Sequence, residues 1–308
     1  MSQRRKNITL LVTWLALVVV TAVVIALQES NDRIDVTRDL FAVEDVNTID
    51  QVVLSGEEVN TLDFVNGNWM LNDKYKADLQ RVTVLFAILK QNRIRRKAAN
   101  KLTAVLDSAF QVGGIKVQFL ASGRSVIEFQ VLGLNGLTYF SDGNENYVVE
   151  IPGYRVDLAG IFELDQGGWR NPLVFDINWA NLKEVNMIFP GRPAEAFDVV
   201  YRRRLLTIRD TQSVDSTKLT DFLDNVSLLY VKDYLSEKEA IDSGLDTIDL
   251  KASIFVSDVG NKQHTLSIYN SSKEEDEVFG WIDSTDYAIF DFNMVRKVLR
   301  PKTYFLKK

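Results

Sequence analysis

The sequence predicts an α+β protein in which one N-terminal transmembrane helix is followed by two tandem repeats of antiparallel sheet plus helices. Three observations lead to this prediction: an apolar segment near the N-terminus, alternating strand-like patterns, and a similar order of elements in the two halves of the chain. The 308 residues, 46% hydrophobic and 25% charged, have a globular composition. The predicted segments are a cytoplasmic tail (1–7), a transmembrane helix (8–27), a juxtamembrane linker (28–39), repeat 1 (40–170) and repeat 2 (175–308).

The transmembrane prediction comes from residues 8–27, a run of twenty residues without a charged side chain. As a helix, this run spans about 30 Å, the hydrocarbon thickness of a bilayer. Arg4, Arg5 and Lys6 precede it, and residues 28–32 contain no base, so the positive-inside rule places the N-terminus in the cytoplasm. A cleaved signal peptide is the alternative. Its apolar region is usually only about 7–15 residues long, which favours an uncleaved anchor in the lipid bilayer.

The charge of the remaining chain indicates its compartment and excludes one class of partner. Without the three bases of the tail, 33 of the 36 Lys and Arg residues remain against 42 Asp and Glu, a net charge of −9. A surface with this excess of negative charge does not favour the binding of nucleic acid. The chain has no cysteine, so the exported part holds together without disulfides. We therefore predict a single-pass protein of the bacterial inner membrane with its C-terminal domains in the periplasm.

A helix-period pattern that occurs twice, 140 residues apart, predicts the internal repeat. The apolar positions are Leu79, Val82, Phe86 and Leu89 in the first copy and Leu219, Phe222, Val226 and Leu229 in the second. A capping residue precedes each helix, Asp78 in the first copy and Asp215 or Ser216 in the second. Tyr147 and Tyr287, in aromatic strands, are also 140 residues apart. The pattern indicates two similar α+β domains, and chance agreement of amphipathic patterns is the alternative interpretation.

Strands are predicted upstream of each helix. In the first copy, Leu62–Val65 turns at Asn66-Gly67 into Trp69–Leu71, and Asn-Gly is a strong signal for a type I′ hairpin. In the second copy, the corresponding strands are Ala196–Val200 and Leu205–Ile208.

The junction between the repeats is predicted at residues 166–172, where two glycines and a proline interrupt the pattern. We assign Trp169, Arg170 and Trp179 to this interdomain junction. Burial of the two tryptophans in ordinary cores is the alternative.

Two basic clusters are the candidate contacts for a partner. They are Arg93, Arg95 and Arg96, followed by Lys97, and Arg202, Arg203 and Arg204. As a functional hypothesis, each docks an acidic partner. Helix-dipole complementation and solvation of a turn are the alternative interpretations.

The sequence contains no recognisable catalytic motif, and we predict no catalytic, cofactor-binding or metal-binding residue. His264 is the single histidine, and it lies in an alternating strand-like run. No serine lies in a Gly-x-Ser-x-Gly elbow, and no phosphate-binding loop is present. The prediction is a protein that is not an enzyme. A carboxylate-dependent glycan hydrolase is the less favoured alternative, because two acids at the required spacing leave no sequence signal.

The chain contains several apolar strands and turns and a Trp-Arg-Asn motif that resemble an uncharacterised bacterial family of membrane-anchored periplasmic proteins. That family is a domain of unknown function associated with gliding-motility-type ABC transport systems. The stretches that carry the resemblance are residues 40–43, 49–52, 69–72, 116–117, 138–139, 149–154 and 169–171. The resemblance covers residues 40 to about 235 and is weaker beyond them. It implies an accessory role beside a transporter or envelope machine, with an ABC-type permease complex as a partner, and it brings no catalytic residues.

The leading functional hypothesis is a non-enzymatic, membrane-anchored periplasmic scaffold or accessory subunit of a membrane transport or envelope complex. The alternative is a periplasmic module that binds an envelope polymer or a peptide through exposed aromatic rings. The candidate rings are Trp69, Tyr139, Tyr154 and Trp281. The sequence does not indicate an oligomeric state.

Overall fold

The computed structural model describes residues 14, 17–21, 38–154, 156–202, 205–242, 249–271 and 276–307. These residues form an α+β structure with two antiparallel sheets and several helices, which confirms the predicted class. Of the predicted transmembrane segment, Trp14 and residues 17–21 are described and helical; the rest of it, Arg4, Arg5, Lys6 and residues 28–37 lie outside the described residues. Within the described ranges, no helix combines the length and the apolar character needed to cross a membrane.

The first sheet has nine strands in the order β4-β3-β2-β1-β6-β7-β8-β9-β5. Its strands are β1 (Gln51–Ser55), β2 (Val59–Val65), β3 (Asn68–Leu71), β4 (Tyr75–Lys76), β5 (Arg93–Lys97), β6 (Ile115–Ala121), β7 (Arg124–Leu134), β8 (Leu137–Ser141) and β9 (Asn146–Glu150). Two helices, α1 (Leu79–Gln91) and α2 (Thr103–Gly113), lie between these strands in the sequence. Asn66 and Gly67 both have positive φ, 51° and 82°, between β2 and β3, which confirms the predicted hairpin.

The second sheet has eight strands in the order β12-β11-β10-β14-β15-β16-β17-β13. Its strands are β10 (Leu182–Ile188), β11 (Phe197–Arg202), β12 (Leu205–Ile208), β13 (Asp233–Leu235), β14 (Leu250–Asp258), β15 (Gln263–Ser271), β16 (Glu277–Ile282) and β17 (Asp286–Asp291). The helices of this half are α3 (Gln166–Trp169), α4 (Ser216–Ser227), α5 (Glu237–Asp242) and α6 (Phe292–Val298).

Apart from β4, the two sheets place corresponding strands in the same order. The order from β3 to β5 in the first sheet matches the order from β12 to β13 in the second, strand for strand. The edge strands also agree in register. Tyr147 of β9 pairs with Lys97, the last residue of β5, and Tyr287 of β17 pairs with Leu235, the last residue of β13.

The N-cap residues mark where α1 and α4 begin and therefore show how the two copies align. The Asp78 carboxylate accepts a hydrogen bond from the backbone N–H of Gln80 at 2.9 Å, and that of Asp215 accepts one from Thr217 at 3.1 Å. These caps are 137 residues apart, so the predicted helix offset of 140 is wrong by three. Accordingly Val82 and Leu219, each four residues after its cap, are both buried, whereas Leu79 is 67% exposed. A shift of three residues is close to one helical turn, which keeps the apolar stripe on nearly the same face.

Packed aromatic rings form part of the core below the first sheet. The ring centroids of Phe129 and Phe140 are 4.6 Å apart, and Phe41 lies 5.4 Å from Phe140 in an edge-to-face contact. Leu106 and Phe110 of α2 belong to a separate apolar cluster with residues of β7, β8 and β9.

Apolar clusters lie on both faces of the second sheet. Ala288 and Phe290 of β17 belong to the main core with α4 and α6, whereas Tyr287 and Ile289 pack in a smaller cluster with Ala240 of α5. Because side chains alternate along a strand, these two clusters lie on opposite faces.

The chain divides into two compact units that are not contiguous in sequence. The first unit comprises the described residues up to Thr61 and Thr83–Glu163, and the second comprises Leu62–Val82 and Leu164–Lys308. In the second unit, the N–H of Asp78 donates to the Trp169 carbonyl at 2.9 Å, and that of Asn171 donates to the Lys76 carbonyl at 2.8 Å. The predicted boundaries, 40–170 and 175–308, therefore differ from these units, since the segment around residue 76 pairs with the segment around residue 170.

Candidate functional site

The first basic cluster lies on β5, an edge strand of the first sheet. Arg93 pairs with Asp39 at 2.7 Å, and the Arg95 guanidinium lies 3.6 Å from the Glu150 carboxylate. Arg96 is exposed, and within the described part of the chain it makes no ion pair. Charged side chains on an edge strand also oppose edge-to-edge aggregation. Two of the three predicted contact residues are thus already paired within the chain.

The second basic cluster is not described. Arg203, Arg204 and the side chain of Arg202 lie outside the described residues. The flanking strands do pair, since Arg202 of β11 lies opposite Leu205 of β12.

The predicted junction residues belong to the second unit, because residues 166–172 all lie within it. Trp169, in α3, is fully buried, which agrees with the core alternative for this ring. Trp179 is 52% exposed, and its indole N–H donates to the Asp224 carboxylate at 2.8 Å.

Arg170 is the centre of a densely connected cluster in the second unit. Its guanidinium carbon lies 3.7 Å from the ring centroids of both Tyr75 and Tyr234, and its Nη1 donates to Asp286 Oδ1 at 3.1 Å. The Tyr234 hydroxyl donates to the Asn171 carbonyl at 3.0 Å. Burial raises the pKa of Tyr234, and the nearby Arg170 charge opposes this rise. The cluster holds β4, α3, β13 and β17 together.

The partners of Arg170 were not identified by the sequence analysis. Tyr75, Tyr234 and Asp286 come from three separate strands, and no local spacing connects them to the Trp-Arg-Asn motif. In the sequence, only the Trp-Arg-Asn motif marked this position. The motif does not specify which side chains surround the Arg170 guanidinium.

The four aromatic candidates of the binding-module hypothesis have different environments. Tyr139 is buried in the cluster with α2, and Trp69 and Trp281 are half-buried. The Trp281 ring stacks on Tyr287 with centroids 5.7 Å apart. Tyr154 is 65% exposed and lines a cleft of about 710 Å³ together with Arg95. Of the four rings, Tyr154 is the one placed to contact a ligand.

A patch of exposed apolar side chains lies where α4 ends. It consists of Leu173, Trp179, Leu228 and Tyr230, which are 40–64% exposed, and is called the Trp179 patch below. Leu173 and Tyr230 pair directly across an antiparallel bridge. The Asp224 carbonyl accepts the N–H of Leu228 at 3.0 Å, while the Asp224 carboxylate holds Trp179. These bonds bring the segments that carry the four exposed side chains next to one another.

His264 contacts a carboxylate that is also bonded to the backbone of the next residue. Its Nδ1 lies 2.8 Å from the Asp283 carboxylate, whose other oxygen accepts the backbone N–H of Thr265 at 2.7 Å. The described residues contain no group of three or more histidine or acidic side chains placed to hold a metal ion.

The fold and these sites define an α+β protein with two antiparallel sheets and an exposed apolar patch. Comparisons with protein-family models, curated proteins and solved structures find no match for this chain. The resemblance drawn from its motifs therefore stays a prediction.

Proposed function

We propose that the protein is a single-pass inner-membrane accessory subunit whose periplasmic part docks a membrane transport or envelope complex, without a catalytic role. Residues 8–27 anchor it in the lipid bilayer with the N-terminus in the cytoplasm. The uncharged run and the preceding Arg4, Arg5 and Lys6 support this topology. An ABC-type permease complex is the partner that the motif resemblance implies.

We also propose that the periplasmic part arose by duplication of one α+β unit. The identical order of corresponding strands in the two sheets supports this origin. The matched helix caps, Asp78 and Asp215, support it independently.

The Trp179 patch carries the docking proposal. Isolated exposed apolar residues are ordinary, but a contiguous group with two aromatic rings is typical of a protein–protein contact. The few residues that carry most of the binding free energy of an interface are enriched in tryptophan and tyrosine. The burial of Leu229, between Leu228 and Tyr230, shows that the two neighbours face away from the core.

The occupant we propose for this patch is a membrane-protein subunit whose apolar surface is flanked by basic groups. The Asp224 carboxylate of α4 bonds Trp179 of the patch, Asp221 lies about one turn earlier in the same helix, and residues 28–308 carry a net charge of −9. Opposite charge at the rim of an interface favours encounter and selects the partner.

Affinity purification of the tagged full-length protein from native membranes tests the proposal. The patch variant combines Leu228→Ser and Tyr230→Ser, and the control is Val259→Ser, a similarly exposed apolar residue of the second unit. We expect a permease or envelope subunit to be recovered with the wild type and the control, and at least about 10-fold less of it with the patch variant.

Two results would count against docking at this patch. One is equal recovery of the same subunit with the patch variant. The other is recovery of further copies of this chain alone, which would make the patch a self-association surface.

A further inference from the structure

A cleft of about 710 Å³ lies in the first unit, beside the edge of the first sheet. This volume is in the range of small-molecule sites, about 300–1,000 Å³. The turn before β8, the end of β9 and the following segment form its walls, and Arg95 of β5 closes one side.

Local backbone geometry presents Tyr154 to this cleft. After β9 the chain turns sharply, and the N–H of Tyr154 donates to the Ile151 carbonyl at 3.0 Å. Gly153 has φ of 86°, a conformation that glycine adopts without strain. The turn leaves the ring 65% exposed at the cleft wall. A flat aromatic face is therefore available for stacking.

One carboxylate of the cleft is held by internal hydrogen bonds, and a second forms an exposed ion pair. The Asp157 carboxylate accepts hydrogen bonds from Thr138 Oγ1 at 3.1 Å and from the N–H of Ala159 at 2.9 Å. Arg95 faces Glu150 at 3.6 Å. Among the described lining residues, one cation, Arg95, stands against two carboxylates, so the cleft offers both hydrogen-bond donors and acceptors beside the exposed ring.

We infer that this cleft binds a neutral oligosaccharide, with a sugar ring stacked on Tyr154 and its hydroxyl groups bonded to Arg95 and Glu150. A sugar ring has an apolar C–H face and an edge of hydroxyls that both donate and accept. This combination matches an aromatic face next to a guanidinium–carboxylate pair. The inference goes beyond the docking role and does not depend on it, and it gives the binding-module alternative a location and a ligand class.

Other ligand classes fit the cleft less well. An acidic peptide meets two carboxylates, and Arg95, the arginine among the described lining residues, already faces one of them. A basic peptide places a like charge against Arg95. A purely apolar ligand removes water from these charged groups and offers them no hydrogen bond in exchange, which is unfavourable.

Isothermal titration of the full-length protein in detergent with maltohexaose, cellohexaose and chitohexaose tests the inference, with polyglutamate as the anionic probe. We expect at least one hexasaccharide to bind with a Kd below about 1 mM. Tyr154→Ala should weaken this binding about 10-fold, and Tyr154→Phe should retain it. The matched control is Tyr201→Ala, which removes a similarly exposed tyrosine of the second unit.

Three outcomes would overturn the inference. The wild type binds none of the three hexasaccharides, or Tyr154→Ala binds as tightly as the wild type. Alternatively, polyglutamate binds and Arg95→Gln abolishes that binding, which would make the cleft an acidic-peptide site. The Leu228→Ser and Tyr230→Ser patch variant should bind sugar normally, so loss of docking and loss of sugar binding are separable.

Discussion

The Arg170 guanidinium lies 3.1 Å from the Asp286 carboxylate, although 116 residues separate the two in the sequence. Their side chains are 12% and 19% exposed, and the rings of Tyr75 and Tyr234 cover the two faces of the guanidinium. The planar guanidinium stacks on both rings and donates a hydrogen bond in its plane at the same time. The compact ammonium group of a lysine cannot make both kinds of contact.

Replacing Arg170 by lysine should therefore destabilise the protein by about 1–3 kcal/mol, because both ring contacts and the planar hydrogen bond are lost. Urea denaturation followed by tryptophan fluorescence measures the change. Arg209→Lys is the control, since Arg209 also makes two ion pairs but its side chain is 53% exposed. Its cost should stay below about 1 kcal/mol. An equal loss in the free energy of unfolding for the two variants would show that the ring contacts and the planar hydrogen bond of Arg170 do not add to stability.

Removing the N-cap of α4 should lower the free energy of unfolding. In Asp215→Ala, the backbone N–H groups of Thr217 and Lys218 lose their acceptor, at a cost of about 1 kcal/mol. Asp221→Ala, at an exposed position inside the same helix, should be neutral or slightly stabilising because alanine has the higher helix propensity. Thermal denaturation by circular dichroism compares the two, and a larger loss for Asp221→Ala would refute the cap assignment.

Gly280→Ala should disturb the core of the second sheet. A Cβ atom at this position would lie 2.5 Å from Phe290 Cε2 and 3.0 Å from Leu266 Cδ1. Overpacking of this kind costs about 1–3 kcal/mol. At Gly160, a Cβ atom would have no neighbour within 4 Å, so Gly160→Ala is the matched control. If urea midpoints fall equally for both, close packing at Gly280 is not the cause.

The ion pair between Lys76 and Asp176 predicts a pH dependence of stability. The hydrogen bond from Lys76 lowers the pKa of Asp176, and partial burial opposes this shift. A carboxylate with a depressed pKa in the folded state contributes stability above its unfolded pKa and loses it as the pH falls through the folded pKa. Because both side chains are about half exposed, the contribution should be under about 1 kcal/mol.

Urea midpoints of the wild type and Lys76→Gln at pH 7 and at about pH 3 measure this contribution. The variant should be less stable at pH 7, and the gap should narrow at the lower pH as Asp176 becomes protonated. A gap that stays constant would show that Lys76 acts through packing of its aliphatic stem.

The elements that depend on local chemistry could be predicted from the sequence. Asn66-Gly67 specifies its own turn, and Asp78 and Asp215 cap their own helices, so neighbouring residues contain the needed information. The helix offset was wrong because a period of 3.6 residues barely distinguishes a shift of three. The hydrophobic pattern of a segment therefore predicts reliably that a helix is present. It predicts less reliably which residues of that helix correspond to those of the second copy.

The sites depend on long-range packing and could be predicted only in part. Tyr139 lies inside β8 and is buried, whereas Tyr154 lies in the turn after β9 and is exposed. An aromatic side chain fits either environment, so the residue type alone does not show which ring reaches solvent. The surroundings of Arg170 were not predictable for a related reason: Tyr234 and Asp286 meet it only after the second sheet has formed.

The order of synthesis gives the pairing of Tyr75 with Asp286 a further consequence. Tyr75 belongs to the second unit, yet 211 residues separate it from Asp286, whose carboxylate its hydroxyl faces at 3.5 Å. At about 5–20 residues per second, the ribosome releases Asp286 roughly 10–40 s after Tyr75. Residues 62–82 are therefore synthesised long before their partners in the second unit, and this unit reaches its final packing only after Asp286 has left the ribosome.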